Sequence, residues 1–140
     1  MQAVNTFSPA ATQQYTDTET SSIGWKANIS AALCYFGPFG LIFFFTEKQN
    51  RLVRFHAVQA LLNALFTVAL MFVVGIVASI FALALGYIEP MLGFAVYAIA
   101  YIALIAYAIG APVYSMFKAY KGVMNELPFV GRFAMKAANK

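Results

Sequence analysis

Charge is the scarcest property of this chain. Asp, Glu, Lys and Arg together make up 10% of its 140 residues, against 62% hydrophobic residues. A soluble domain of this size cannot cover its surface with so few charges. Cysteine and histidine occur once each. The lone Cys34 excludes an internal disulfide framework, and its place in an apolar run reads as a small buried side chain rather than a redox centre. One histidine, one cysteine and no nearby acid other than Glu47 cannot assemble a usual metal-ligand set. Ser79 and Ser115 have no histidine or acid placed to activate them, and there is no glycine-rich phosphate loop. No catalytic, cofactor-binding or metal-binding residue is assigned, and the chain is not expected to be an enzyme.

What fills the sequence instead is long uncharged apolar runs, with a mean hydropathy of +0.75. Such runs make the bilayer the solvent. The formal net charge of +4 would suggest nucleic acid in a soluble protein. Here the bases flank hydrophobic runs, where they set topology and meet anionic headgroups, so the bilayer rather than nucleic acid is the expected partner.

In chain order, residues 1–25 read as a polar, disordered tail without the basic start or apolar core of a signal peptide. Trp25 and Lys26 mark headgroup level. A first span is expected over Asn28–Phe45, about 27 Å if helical and just enough to cross. Gly37-Pro38-Phe39-Gly40 interrupts it with a kink or short break. Glu47–Arg54 reads as a loop carrying Lys48, Arg51 and Arg54. A second span follows over Phe55–Leu85, about 45 Å and longer than the membrane core. After a turn at Gly86–Pro90, a third covers Met91–Phe117, with Pro90 in its first turn and Pro112 kinking its far end. Leu127–Gly131 is a turn, and Phe133–Lys140 a short surface helix. The expected fold is therefore all-α, a three-span bundle over residues 26–134 followed by a basic tail over 135–140. One base (Lys26) would face eight across the membrane, which predicts the N-terminus outside and the C-terminus inside.

Within the second span His56, Gln59, Asn63 and Thr67 form a narrow polar stripe at spacings of three, four and four. It suits interhelical hydrogen bonding, a polar groove or a proton relay, although no membrane carboxylate is present to receive a proton. Small residues recur at four-residue spacing, Gly75 with Ser79 and Ala106 with Gly110, and let helix backbones approach within one chain or between copies. Tyr97, Tyr101, Tyr107 and Tyr114 give the third span hydroxyls that need partners, which the stripe can supply.

Three segments, NISAALCY at Asn28–Tyr35, EKQNRLVRFHAVQ at Glu47–Gln59 and KAYKGVMNELPFVG at Lys118–Gly131, together resemble a family of small bacterial membrane proteins of unknown function. That family is similar to magnetosome membrane proteins of the MamF type, and distantly to the twenty-kilodalton Tic-type subunit of chloroplast protein import. The resemblance covers about Lys26–Ala134, and the most specific part is Arg54-Phe55-His56-Ala57-Val58-Gln59. Arg132 stands where the pattern usually has an acid. The resemblance implies a polytopic protein of the bacterial inner membrane, or of a membrane derived from it, that acts in membrane organisation, assembly or translocation. Its matching segments are the membrane boundaries, where Lys48, Arg51, Arg54, Lys118 and Lys121 meet lipid phosphates. The leading expectation is a self-associating scaffold or assembly factor that recruits protein partners through a basic cytoplasmic face. The alternative is a subunit of a translocation or transport pore.

Overall fold

The computed structural model describes residues 19–139. The tail expected over residues 1–18 and the final Lys140 lie outside the described residues. All the regular elements are helical: α1 (Ala27–Leu33), α2 (Phe39–Thr46), α3 (Arg51–Gly86), α4 (Pro90–Tyr120) and α5 (Gly131–Ala138). Two of them, α3 and α4, are long and apolar enough to cross a membrane.

Helix α3 begins earlier than the sequence suggests. The Asn50 side chain accepts from the Leu52 and Val53 amides, an N-cap that satisfies donors the first turn leaves open. Arg51 and Arg54 therefore stand on the helix and not in a loop. The 36 residues of α3 extend for about 54 Å, well beyond a hydrocarbon core of about 30 Å. Tyr87 and Ile88 turn the chain, and Glu89 caps α4 through the Met91 amide with Pro90 as its first residue. Helix α4 returns antiparallel and continues through Pro112. The pair approaches closely at Gly93, where any Cβ would collide with the Ala82 carbonyl and the Gly86 backbone.

The segment expected as a first span is not one helix. Its 18 residues fold as two short helices, α1 and α2, joined by a turn in which Gly37 takes φ +56°, a left-handed conformation that glycine adopts without strain. As one straight helix the segment would separate its two ends by about 27 Å. Instead the ends meet. Glu47 accepts from the Ser22 amide at 2.8 Å and from the Ser22 hydroxyl at 2.6 Å, and the Lys48 amide donates back to Ser22 Oγ at 3.2 Å. Asn50 Nδ2 reaches the Thr20 carbonyl at 3.4 Å and the Glu19 carboxylate at 3.3 Å. Residues 27–46 are thus a re-entrant hairpin about 12 Å deep, entering and leaving at one end of the molecule. Residues 19–20 accordingly lie beside the start of α3, and not at the far end of the molecule where three full-length helices would put them. Asn28 Nδ2 donates to the Tyr120 carbonyl at 3.2 Å, which fixes the same end from the other side.

The C-terminal segment forms a second fold-back. Beyond α4 the chain runs down α3, meeting His56 through Val123, Gln59 through Asn125 and Leu127, and Phe66 through Phe129. Helix α5 then climbs back until Met135 Sδ lies 3.8 Å from an Arg51 guanidinium nitrogen. Ala134 and Ala138 pack against Phe55 and Val58. On the opposite side, Ala27, Ala31 and Phe43 of the hairpin pack with Leu52, Val53, Ala57 and Ala119.

Candidate functional site

The polar stripe of α3 is the centre of the end where the two fold-backs meet. His56 and Gln59 are fully buried and Asn63 is almost so. His56 Nε2 lies 3.1 Å from the Val123 carbonyl. A carbonyl only accepts, so Nε2 carries the hydrogen and Nδ1 accepts from the Tyr35 hydroxyl at 3.0 Å. That hydroxyl in turn accepts from Gln59 Nε2 at 2.9 Å, and the same Gln59 nitrogen donates to the Asn125 carbonyl at 3.0 Å. Gln59 Oε1 receives the Leu127 amide at 3.1 Å, which sets the orientation of its carboxamide. A single glutamine thereby ties the re-entrant hairpin to the C-terminal segment. Asn125 Nδ2 extends the network to Ser115 Oγ on α4 at 3.2 Å.

Asn63 continues the stripe by accepting from the Tyr107 hydroxyl at 3.1 Å. Thr67 does not join it, since its hydroxyl bonds the Asn63 carbonyl of its own helix at 2.8 Å. A cavity of about 350 Å³ adjoins these residues, bounded by Cys34, Gly37, Asn63, Thr67, Ala108 and Pro112. Pro112 has no amide hydrogen for the Ala108 carbonyl four residues before it, so both helices bring polar backbone or side-chain groups to this wall.

The basic residues surround this interior. Lys48 and Lys121 are exposed, and Arg51 and Arg54 half-buried at the start of α3. The Lys118 ammonium lies 5.4 Å from the centre of the Tyr114 ring. The small residues separate into two groups. Gly75 faces Tyr101 within the α3–α4 pair, and the Ser79 hydroxyl bonds the Gly75 carbonyl at 2.7 Å. Ala106 and Gly110 are exposed on α4, with nothing within 4 Å of a Cβ placed on Gly110.

Glu47, which the sequence places at the start of a charged loop, is buried. Burial pushes its carboxyl up, but hydrogen bonds from the Asn50 amide, the Ser22 hydroxyl and the Ser22 and Gln49 amides outweigh this and hold it below the ordinary value of 4.5. In the sequence it stands directly after an apolar run. Tyr35 and Asn125 were missed, and neither has a local pattern that gives it away. Among the described residues no three His, Cys, Asp or Glu side chains come together as a metal site.

A profile described as the magnetosome magnetite crystal formation protein family, MamF/MmsF, matches residues 22–134. The chain belongs to that family. The matched stretch opens at Ser22, the residue that clasps Glu47, and closes at Ala134 on α5, so it takes in the hairpin and the C-terminal fold-back as far as the first half of α5. A UPF0132 membrane protein from Methanocaldococcus jannaschii is 46% identical over 44 residues, which cover 30% of this chain and 40% of that protein. No solved structure matches. Family membership and the two apolar helices locate the chain in a membrane. The distant likeness to the chloroplast import subunit has no counterpart in these matches.

Proposed function

We propose that this MamF/MmsF-family protein is a non-enzymatic membrane scaffold for magnetite crystal formation. In this reading it resides in the bacterial inner membrane or a membrane derived from it, and self-associates there. Its basic end faces the cytoplasm. All eight described Lys and Arg residues belong to the end formed by α1, the start of α3, the close of α4 and α5, whereas the α3–α4 turn carries only Glu89. By the preference of cytoplasmic boundaries for Lys and Arg, both described termini lie inside.

The observation that carries the reading is the inward turn of the polar groups. His56 and Gln59 spend their hydrogen-bonding capacity on holding the two fold-backs together, which leaves the basic rim as the chemistry presented outward. A rim of that kind suits anionic headgroups and acidic segments of protein partners. A pore subunit has less support, because His56 and Gln59 are bonded to protein groups and do not line an open path.

The test is crosslinking in native membranes from photoreactive residues placed at Ala106, on the outward face of α4, and at Gly75, between the helices. Bands at multiples of the subunit mass from Ala106, without such bands from Gly75, are expected. A strictly monomeric chain in membranes and in nanodiscs would sink the scaffold reading. Thiol labelling settles topology in a Cys34→Ala background: Thr20→Cys and Asn139→Cys react from one side and Ile88→Cys from the other. Labelling of Thr20→Cys from the side of Ile88→Cys would restore three crossings.

A further inference from the structure

The α3–α4 pair is long and apolar enough to cross the bilayer, and among the described residues the other helices and the segments joining them all lie at one of its ends. In the half nearest the turn at Glu89 the molecule is two helices wide. In the half nearest the basic rim the hairpin, the C-terminal segment and α5 are added around the same pair, all within about 25 Å of the start of α3 along its axis. A helix with its side chains is about 10–12 Å across, so the cross-section roughly doubles from one half to the other. A helix of about 54 Å exceeds a core of about 30 Å by about 24 Å, and with that excess shared between the two ends the broad part lies about half in the headgroup layer and half in the upper acyl region of one leaflet.

The outer surface of the hairpin fits such a position. Ala31, Cys34 and Phe43 face inward and are buried, while Phe36, Leu41, Ile42, Phe44 and Phe45 are exposed, Phe36 and Phe45 by more than two thirds. These side chains project from the tip and sides of an element whose two ends are held at the basic boundary by Ser22 and Glu47. Phe129 and Phe133 are similarly exposed on the C-terminal fold-back, beside Arg132. Apolar side chains on a shallow element, with bases at its rim, are covered by the acyl chains and headgroups of a single leaflet.

We propose that the protein is a leaflet-asymmetric wedge: the re-entrant hairpin and C-terminal fold-back widen the leaflet at the basic end, bending the membrane convex toward that end and favouring membranes already so curved. The occupant of the hairpin's apolar face is lipid. The bend follows from geometry, since inserting more area into one leaflet than the other is relieved by curvature with the wider leaflet outside. This inference stands apart from self-association, because a single chain has the shape.

The full chain, fluorescently labelled at an Asn139→Cys site in the Cys34→Ala background, is reconstituted into vesicles of mixed phosphatidylcholine and phosphatidylglycerol spanning a range of diameters. Protein density is read vesicle by vesicle, and an impermeant quencher reports which end faces outward. Molecules with the basic end outward are expected to be enriched severalfold on the smallest vesicles, and those with it inward depleted. The double substitution Phe36→Ser and Phe45→Ser leaves the buried face of the hairpin intact and is expected to remove most of the enrichment. A tryptophan placed at Phe45, with Trp25→Phe, is expected to be strongly quenched by lipids brominated on their acyl chains. Density independent of vesicle diameter in both orientations would overturn the proposal. So would a Phe45→Trp probe untouched by brominated lipid but shielded by crosslinkable second copies, which would make the hairpin face a protein interface.

Discussion

Between Arg51 and Asn63, α3 is enclosed by both fold-backs and by α4, with eight of its residues buried. Between Ala64 and Gly86 only Ala78 is buried. One helix thus passes through two environments governed by different physics. In lipid an exposed Leu or Ile costs nothing, because acyl chains are as apolar as the side chain, and the pair is held by close backbone approach at Gly93 and by the Tyr101 hydroxyl against Gly75. At the basic end, loops without secondary structure run beside α3, and their amides and carbonyls must find partners away from water. The polar stripe supplies them. What looks in isolation like a working surface supplies hydrogen-bond partners to irregular backbone packed against it.

This comparison is tested most severely at Gln59. Gln59→Leu keeps the volume and the helix but strands the Leu127 amide and the Asn125 carbonyl, and each orphaned buried group costs about 1–3 kcal/mol. A loss of about 4 kcal/mol is expected, seen as a lowered midpoint of thermal unfolding in nanodiscs and as rapid proteolysis within residues 122–130. If Gln59→Leu matched the wild type in both assays, the network would not be what holds the C-terminal segment.

Glu47 comes next. Glu47→Ala removes the acceptor for four donors and should cost about 3 kcal/mol, less than at Gln59 because water can replace part of what is lost at the rim. Its titration sharpens the point. The carboxyl is held below the ordinary 4.5 in the folded state, so its contribution is complete above pH 4.5 and is lost as pH falls through the folded value. Trp25, the sole tryptophan, accepts the Ser21 amide through its carbonyl at 2.7 Å and sits beside the clasp. Its emission should shift on acidification below pH 4.5, and Glu47→Gln, which no longer titrates, should abolish that transition. An identical transition in Glu47→Gln would assign it to another group.

In the distal half the sensitive residue is a glycine. Gly93→Leu forces α4 away from Ala82 and Gly86, and overpacking of this kind costs about 2 kcal/mol. Distances between spin labels at Ile80 and Ile99 should lengthen, while those between the hairpin and α3 stay unchanged. A lengthening that spread to the basic end would show that the two halves are coupled.

How much of this was legible in the sequence depended on the range of the deciding contact. The turn at Glu89-Pro90, the two long helices and the spacing of His56, Gln59 and Asn63 are local patterns, and the structure has them. The hairpin is not local. Eighteen uncharged residues satisfy the length of a crossing whether they form one helix or two, and the reversal shows only in long-range bonds such as those between Ser22 and Glu47, 25 positions apart. Gly37-Pro38-Phe39-Gly40 marked the break but not the reversal. Likewise the descent of residues 123–129 along α3 rests on backbone groups meeting Gln59 and on Phe129 stacking against Phe66 at 5.3 Å, and neither leaves a periodic trace. The hairpin also brings Lys26 to the same end as the other described bases, a placement that depends on this one non-local reversal.

The smallest effect expected lies where the two halves meet. Tyr107→Phe deletes one hydroxyl and leaves Asn63 Oδ1 without its donor, and interhelical hydrogen bonds within membranes average about 0.6 kcal/mol. Ile80→Ala, on a lipid-facing position 61% exposed, is the control and should fall within about 0.5 kcal/mol of wild type. Measured together by unfolding in one detergent, the pair asks where the polar regime ends. An effect of Tyr107→Phe no larger than that of Ile80→Ala would place the boundary above Asn63, with lipid-like energetics already in force there. An effect several times larger would extend the hydrogen-bonded core down to Tyr107, and with it the wall of the cavity that Asn63 and Thr67 line.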